Sequence, residues 1–145
     1  MPVLQHWELS LSEEGTLDWG ISMVLDSYLA IGEYKMSVII SNRFTHWRTA
    51  AAQGLLDGQP AWLNMLEDNG ATVSVSVFAP NEKPRIPELT LSDITGPGEI
   101  GFQLQNMERV MNARVMSARL LSDRSGEGWA PGTYDLFRGR LSVRI

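Results

Sequence analysis

Residues 3–25, VLQHWELSLSEEGTLDWGISMVL, decide the fold class because apolar and polar residues alternate along them in twos. Apolar side chains occupy alternate positions on both sides of the polar turn SEEGT: Val3, Trp7, Leu9 and Leu11 before it, and Leu17, Trp19, Ile21, Met23 and Leu25 after it. Gln5 is the exception in the first half. Such alternation around a glycine-containing turn predicts a β-hairpin with one buried face.

The same alternation continues through later parts of the chain. It predicts further strands at Tyr34–Ile40, Thr72–Phe78, Ile100–Gln105 and Phe137–Ile145, and a short strand at Leu89–Leu91. Residues 113–121 fit either a strand or a helix, and the stretches 79–87 and 123–132 are predicted loops. No repeat or linker divides the chain, so residues 1–145 are predicted to form one mainly β domain. We expect seven to eight strands, arranged as a β-sandwich or partly closed barrel.

One stretch breaks the alternation and predicts the single α-helix of the fold, at about residues 43–56. Ser41 or Asn42 is a suitable N-cap, and Gly58 is a suitable stop. Apolar side chains at spacings of three and four then form one stripe: Phe44, Trp47, Ala51 and Leu55. We expect the helix to pack against the sheet through this stripe, with Trp47 buried.

The segment that follows this helix is ambiguous. Pro60 turns the chain, and Ala61–Leu66 is predicted as a strand paired with Thr72–Phe78 through the turn EDNG, with a helical turn as the alternative. Trp62, within this segment, is predicted to be an anchor in the core or in an interface.

The composition excludes several classes of function. At 145 residues, 43% hydrophobic and 20% charged, the chain is globular rather than disordered. Its net charge of −5 argues against nucleic-acid binding, and its lack of cysteine excludes disulfides and thiolate metal sites. No signal peptide and no run of 18 apolar residues is visible, so we expect a soluble, intracellular protein that does not bind a membrane.

Charge is distributed unevenly along the chain. Residues 1–100 contain 13 acidic and 5 basic residues, whereas residues 101–145 contain 4 acidic residues and 7 arginines. The simplest interpretation is a chance difference between solvated strand faces. One functional alternative is electrostatic complementarity, in which the basic surface of one subunit meets the acidic surface of the next. A weaker alternative is phosphate binding by Arg138, Arg140 and Arg144.

No motif identifies a catalytic, cofactor-binding or metal site. His6 and His46 lie on different predicted elements and have no ligand spacing. Gly96–Gly101 matches GxGxxG, but it runs into an alternating strand at Phe102 rather than a helix, so we interpret it as a turn. Asp123–Glu127 lacks the further oxygen ligands of a calcium loop. The sequence therefore predicts a protein that is not an enzyme and needs no cofactor.

Two groups of segments form more specific patterns. The first is a strand, a tryptophan-initiated helix ending in Leu-x-Gly, and an aromatic-leucine strand: Tyr34–Ile40, Trp47–Gln59 and Ala61–Leu63. The second is a strand ending in a polar turn, an Ala-Arg-Val strand and a closing Phe-x-Gly strand: Pro87–Ile94, Asn112–Val115 and Leu136–Arg140. These patterns resemble the distal tail and hub-adjacent proteins at the tail tip of long-tailed bacteriophages. Pro60 departs from the family pattern, which has a small or basic residue there.

The resemblance implies a structural virion protein that forms a ring at the tail tip or distal tail. It would contact copies of itself and other tail proteins, and it would be assembled in the host cytoplasm. Such a subunit needs strand edges that are satisfied by its neighbours. One alternative is a monomeric acidic β-sandwich that binds a protein partner, as an inhibitor or immunity protein does, favoured by the pI near 5.0. Another is a barrel that binds a small ligand or carries an active site.

Overall fold

The computed structural model describes these parts of the chain: residues 3–30, 33–58, 64–67, 72–121 and 128–145. They form one short helix, α1 (Glu108–Met111), and thirteen strands. The strands, in chain order, are β1 (Val3–Leu11), β2 (Thr16–Leu25), β3 (Leu29–Ala30), β4 (Lys35–Ser41), β5 (His46–Arg48), β6 (Gln53–Leu55), β7 (Asn64–Glu67), β8 (Ser74–Phe78), β9 (Glu88–Thr95), β10 (Ile100–Asn106), β11 (Ala113–Leu120), β12 (Gly128–Trp129) and β13 (Gly132–Arg144). The predicted mainly β class is confirmed.

Most strands belong to two open antiparallel sheets. The larger sheet has the strand order β1-β2-β13-β9-β8-β5-β6, and the smaller has the order β4-β11-β10-β7. β12 and β3 form a separate two-stranded ladder. Within the described residues neither large sheet closes on itself, so the partly closed barrel is wrong. The predicted number of seven to eight strands is too low, because strands of two to four residues are too short to show alternation in the sequence.

The two large sheets share one hydrophobic core. Side chains from both sheets belong to it, among them Trp19, Ile21 and Met23 of β2, Phe102 and Leu104 of β10, and Met116 of β11. Burying one such side chain fully contributes roughly 1.5–3 kcal/mol relative to leaving it exposed. The alternating apolar residues therefore stabilise the fold mainly where the opposite sheet covers them.

The predicted hairpin at residues 3–25 is confirmed, but its buried face is confirmed only for the second strand. β1 and β2 pair along their whole length, and Gly15 in the turn adopts a φ of 78°, which favours glycine. The core-facing side of β2 is buried, whereas all nine residues of β1 are exposed. β1 is the edge strand of the larger sheet, and none of its residues belongs to the core cluster.

The helix predicted at about residues 43–56 is wrong. This stretch forms β5 and β6, which pair as a tight hairpin with Trp47 opposite Gly54. Thr49 holds the turn, because its Oγ1 accepts hydrogen bonds from the backbone N–H groups of Ala51 and Ala52. A short alanine run adds little helix stability by itself. Burial of Trp47 against the sheet outweighs it.

Trp47 is a core residue, as predicted, but it is held by a strand. Its side chain is buried, and a Cβ placed on Gly54 would lie 2.7 Å from the indole Nε1. The indole therefore occupies the space that a larger side chain at position 54 would need. Leu55 is exposed and Leu56 is fully buried, which is the alternation of an extended chain and not the stripe of a helix.

Three other segments correct or complete the predicted elements. The ambiguous stretch 113–121 is strand β11, and it pairs with both β4 and β10. Residues 64–67 are a strand, but it pairs with β10 and not with β8, so the predicted pairing of Ala61–Leu66 is wrong. Residues 61–63, including Trp62, lie outside the described residues. Gly128 and Trp129, in the predicted loop 123–132, form β12.

Candidate interaction surface

β1 presents an apolar face that is continuous with the core but lies open to solvent. Trp7 is directly opposite Ile21, and Leu9 is directly opposite Trp19, so these side chains point to the core side of the sheet. Yet Trp7 is 56% exposed and Leu9 is 64% exposed. Four large apolar side chains share this face: Val3, Trp7, Leu9 and Leu11. The strand also has one edge that no other described strand pairs with.

An open cleft lies beside this face, between the edge strands β1 and β4. It has a volume of about 230 Å³ and is lined by side chains that include Trp7, Met23, Tyr34, Met36 and Phe137. Polar side chains line it as well, namely Gln5, Glu33, Lys35 and Ser37. The cleft and the strand edges next to it therefore offer hydrophobic burial and backbone hydrogen bonds, which are the ingredients of strand-to-strand association.

The outer face of the larger sheet carries charged side chains that pair across strands. Arg140 Nε donates to Asp18 Oδ1 at 2.8 Å, and its Nη1 donates to Asp93 Oδ2 at 3.4 Å. The hydrogen bond to Asp18, together with that carboxylate's charge, raises the pKa of Arg140. Arg138 Nη1 lies 3.9 Å from Glu8 Oε2. The basic C-terminal strand thus meets acidic N-terminal strands within one chain.

The three arginines considered for phosphate binding do not form a shared site. Arg138 and Arg140 already have acidic partners in the chain. Arg144 lies four residues further along β13, a distance of about 13 Å in a strand, and it is opposite Glu88 in the ladder. A phosphate group at Arg138 or Arg140 would compete with the carboxylates that already pair with them, which disfavours binding.

The two histidines are far apart in the larger sheet. His6 lies on β1 at one edge, and His46 lies on β5, with four strands between them. His46 Nδ1 is 2.8 Å from Thr45 Oγ1, and its ring stacks on Phe78 with centroids 5.4 Å apart. Among the residues that the structure describes, no group of three histidine, aspartate or glutamate side chains could hold a metal ion.

His46 lines a shallow surface depression of about 370 Å³, together with Thr45, Asp57 and Glu82. Glu82 is already paired, because its Oε1 accepts a hydrogen bond from Arg43 Nε at 2.6 Å. The depression brings a histidine near carboxylates but does not align it with a nucleophile and an orienting acid. The ring of His46 packs against Phe78.

The glycine-rich motif is a turn, as predicted. β9 ends at Thr95 and β10 begins at Ile100, so residues 96–99 of the motif join one sheet to the other, and Gly101 already lies in β10. A Cβ on Gly96 would lie 2.9 Å from the carbonyl oxygen of Leu136, so close backbone packing accounts for this glycine. The candidate calcium loop Asp123–Glu127 lies outside the described residues.

A buried arginine escaped prediction from the sequence. Arg114 on β11 is fully buried, donates from Nη1 to Asn106 Oδ1, and has its Nη2 3.9 Å from Asp57 Oδ1. A buried guanidinium requires such partners. Because these partners come from other parts of the chain, the local sequence carries no signal for this cluster, which joins the segment after β6 to the smaller sheet.

The apolar surface of β1 also escaped prediction, although the sequence contains one signal for it. Gln5 interrupts the apolar face of β1 and lies directly opposite Met23, which is buried on β2. A buried glutamine would need hydrogen-bond partners. Its presence at that position indicates that the face of β1 is not part of the core.

The chain matches no protein-family model, no curated protein and no solved structure. In the described parts of the chain, no helix has the length and apolar character needed to span a membrane. Function must therefore be argued from the surface geometry.

Proposed function

We propose that the chain is a structural subunit of a bacteriophage tail, which assembles with copies of itself into a ring at the tail tip or distal tail. In this function it contacts other tail proteins as well as its own copies, and it is located in the virion. It needs neither a cofactor nor an active site.

The observation that carries the proposal is the position of the exposed apolar side chains. Seven large ones lie on three edge strands of the two large sheets: Val3, Leu4, Trp7, Leu9 and Leu11 on β1, Ile39 on β4, and Leu55 on β6. Edge strands with apolar side chains promote aggregation unless a partner covers them. A subunit built into an assembly has such a partner at every edge.

The number of these edges also supports an assembly with several neighbours. β1 and β6 are at opposite ends of the larger sheet, and β4 is an edge of the smaller sheet. A ring requires each subunit to present two different surfaces, one to each neighbour. Three apolar edges supply these two surfaces and leave one for a further contact.

Light scattering on the purified protein over a range of concentrations tests the proposal, combined with electron microscopy of the assembled species. We expect a discrete oligomer with ring-shaped projections. Leu55→Lys on β6 should reduce its mass, because a charged edge strand resists pairing. Val73→Lys is the matched control, since Val73 is 74% exposed but lies outside the strands.

A second candidate is a monomeric acidic β-sandwich that binds a protein partner, as inhibitors and immunity proteins do. The acidic pI near 5.0 favours it. The same experiment separates the two functions. A monomer at every concentration would contradict the ring-forming subunit and support the partner-binding protein.

A further inference from the structure

We infer that β1 is covered by β1 of a second copy of this chain, in an antiparallel pair centred on Trp7. This inference rests on the proposed function in one respect, because both require the chain to associate with itself. It goes further by naming the strand, the symmetry and the register of one contact.

β1 is suited to strand addition along its whole length. It has nine residues, which span about 30 Å, and its only partner among the described strands is β2. Addition of a second strand would satisfy the free backbone groups of this edge and cover the apolar face. Two copies of β1 can do so symmetrically, because a twofold axis makes each strand the partner of the other.

The faces of β1 restrict the possible registers. In an antiparallel pair, directly opposite residues lie on the same side of the sheet. The core side of β1 carries Trp7 and Leu9, and the outer side carries His6 and Glu8. A twofold axis between two residues would place a core-side residue opposite an outer-side residue, which an antiparallel ladder does not allow. The axis must therefore pass through a residue position.

Centring on Trp7 satisfies three conditions at once. All nine residues of each strand pair, from Val3 opposite Leu11 of the second copy to Leu11 opposite Val3. Each Glu8 lies opposite His6 of the other strand, which places a carboxylate beside an imidazole twice. The two Trp7 side chains lie opposite each other on the core side. Cross-strand aromatic, apolar and hydrogen-bonding or charged pairs of this kind stabilise a sheet.

The neighbouring registers fail the same conditions. Centring on His6 places the two histidines opposite each other, and centring on Glu8 places two carboxylates opposite each other, which is destabilising. Each of these registers also leaves two residues of each strand unpaired. The order of His6 and Glu8 along the strand therefore favours the register centred on Trp7, and in that register β1 is complementary to a second copy of itself.

The cleft beside β1 supports the same arrangement. A twofold axis perpendicular to the larger sheet keeps both smaller sheets on the same side. The clefts of the two copies then meet at the axis, and Trp7, which lines its own cleft, is covered by the second copy. The pairing would thus bury the largest exposed side chain of β1.

The symmetry of the contact limits the assembly. A twofold contact uses the same surface on both subunits and cannot close a ring by itself. The ring must then be closed through other edges, of which β4 and β6 carry exposed apolar side chains. An assembly that contains both contacts has an even number of subunits.

Disulfide trapping tests the register directly, because the natural chain contains no cysteine. A tagged His6→Cys chain is mixed with an untagged Glu8→Cys chain and oxidised. Positions 6 and 8 of opposite strands are then directly paired, within disulfide reach. The 6–6 and 8–8 pairs are diagonal and beyond it. We expect the mixed dimer to exceed each same-variant dimer by about tenfold at early times.

The outcomes distinguish this inference from the proposed function. Preferential disulfides within the His6→Cys variant, or within the Glu8→Cys variant, would overturn the register centred on Trp7. Oligomers without any β1 disulfide would overturn the inference and leave a self-assembling subunit intact. A monomer that forms no disulfide at any concentration would overturn both.

A second pair of variants tests the same contact without oxidation. Trp7→Lys puts a charge in the middle of the β1 face, and we expect it to abolish the twofold association. Val73→Lys is the matched control, because Val73 is 74% exposed and lies outside the strands. Equal association of the Trp7→Lys variant and the natural chain would contradict the inference.

Discussion

β1 and β2 are neighbours in one hairpin and have the same alternation of apolar residues, yet they have opposite environments. Trp19 on β2 is 7% exposed, whereas Leu9, directly opposite it on β1, is 64% exposed. The difference in exposure follows from the positions of the two strands in the larger sheet. β2 lies between β1 and β13 and contributes side chains to the core, whereas β1 lies at the edge of the sheet and contributes none. Alternation in the sequence thus predicts that one face of a strand is apolar, but it does not predict which other part of the molecule covers that face.

The same comparison distinguishes side chains that stabilise the folded monomer from side chains that promote its association. An apolar side chain on β2 stabilises the folded monomer, because folding removes it from water. The same type of side chain on β1 gains little on folding and gains its burial only when a second strand is added. Substitutions on β2 should therefore change the free energy of unfolding, and substitutions on β1 should change association.

The largest effect is expected for Trp19→Ala. Trp19 belongs to the core and is almost completely buried. Removing a buried aromatic ring typically costs about 3–5 kcal/mol of unfolding free energy. Chemical denaturation at a concentration where the protein is monomeric measures it. A loss below about 1 kcal/mol would contradict the assignment of β2 to the core.

A smaller loss is expected for Gly139→Ala on β13. A Cβ at position 139 would overlap the ring of Trp19 and the Cδ1 atom of Ile94. Overpacking a well-packed site typically costs about 1–3 kcal/mol. The control is Gly58→Ala, where no atom lies within 4 Å of the added Cβ, although its φ of 69° adds backbone strain. Near-ultraviolet circular dichroism would show whether the tryptophan environment changes in Gly139→Ala alone.

The smallest effect on the monomer is expected for Leu9→Ala. Its side chain is largely exposed, so truncation should cost less than about 1 kcal/mol of unfolding free energy. The measurement is again chemical denaturation, at low protein concentration. A loss as large as that of Trp19→Ala would mean that β1 is covered within the monomer, and the distinction between the two strands would fail.

Prediction from the sequence succeeded for long, periodic strands. The hairpin at residues 3–25 and the strand at Ile100–Gln105 are present because alternation over many residues reflects one buried or shared face. It failed for β5 and β6, where the alanine run suggested a helix. Trp47 lies over Gly54 of the paired strand, and a contact between strands leaves no periodic pattern in the sequence.

The candidate surface was predictable only in part. The resemblance to tail proteins implied strand edges that neighbouring subunits satisfy, which stays a prediction, and the alternation identified the apolar residues of β1. In the structure, two of the C-terminal arginines, Arg138 and Arg140, have acidic partners within the chain. Arg140 pairs with Asp18, 122 residues away, so at this position a basic C-terminal strand meets an acidic N-terminal strand within one chain.

The sequence by itself determined the mainly β class, the hairpin and the apolar face of each long strand, because these depend on the local period-two geometry of an extended chain. Only the tertiary structure decided which apolar faces are buried, because burial depends on the position of each strand in its sheet and on the side chains that pack against it. It also decided which charges pair. β1 is exposed for this reason, and the same exposure makes it a surface for a second copy.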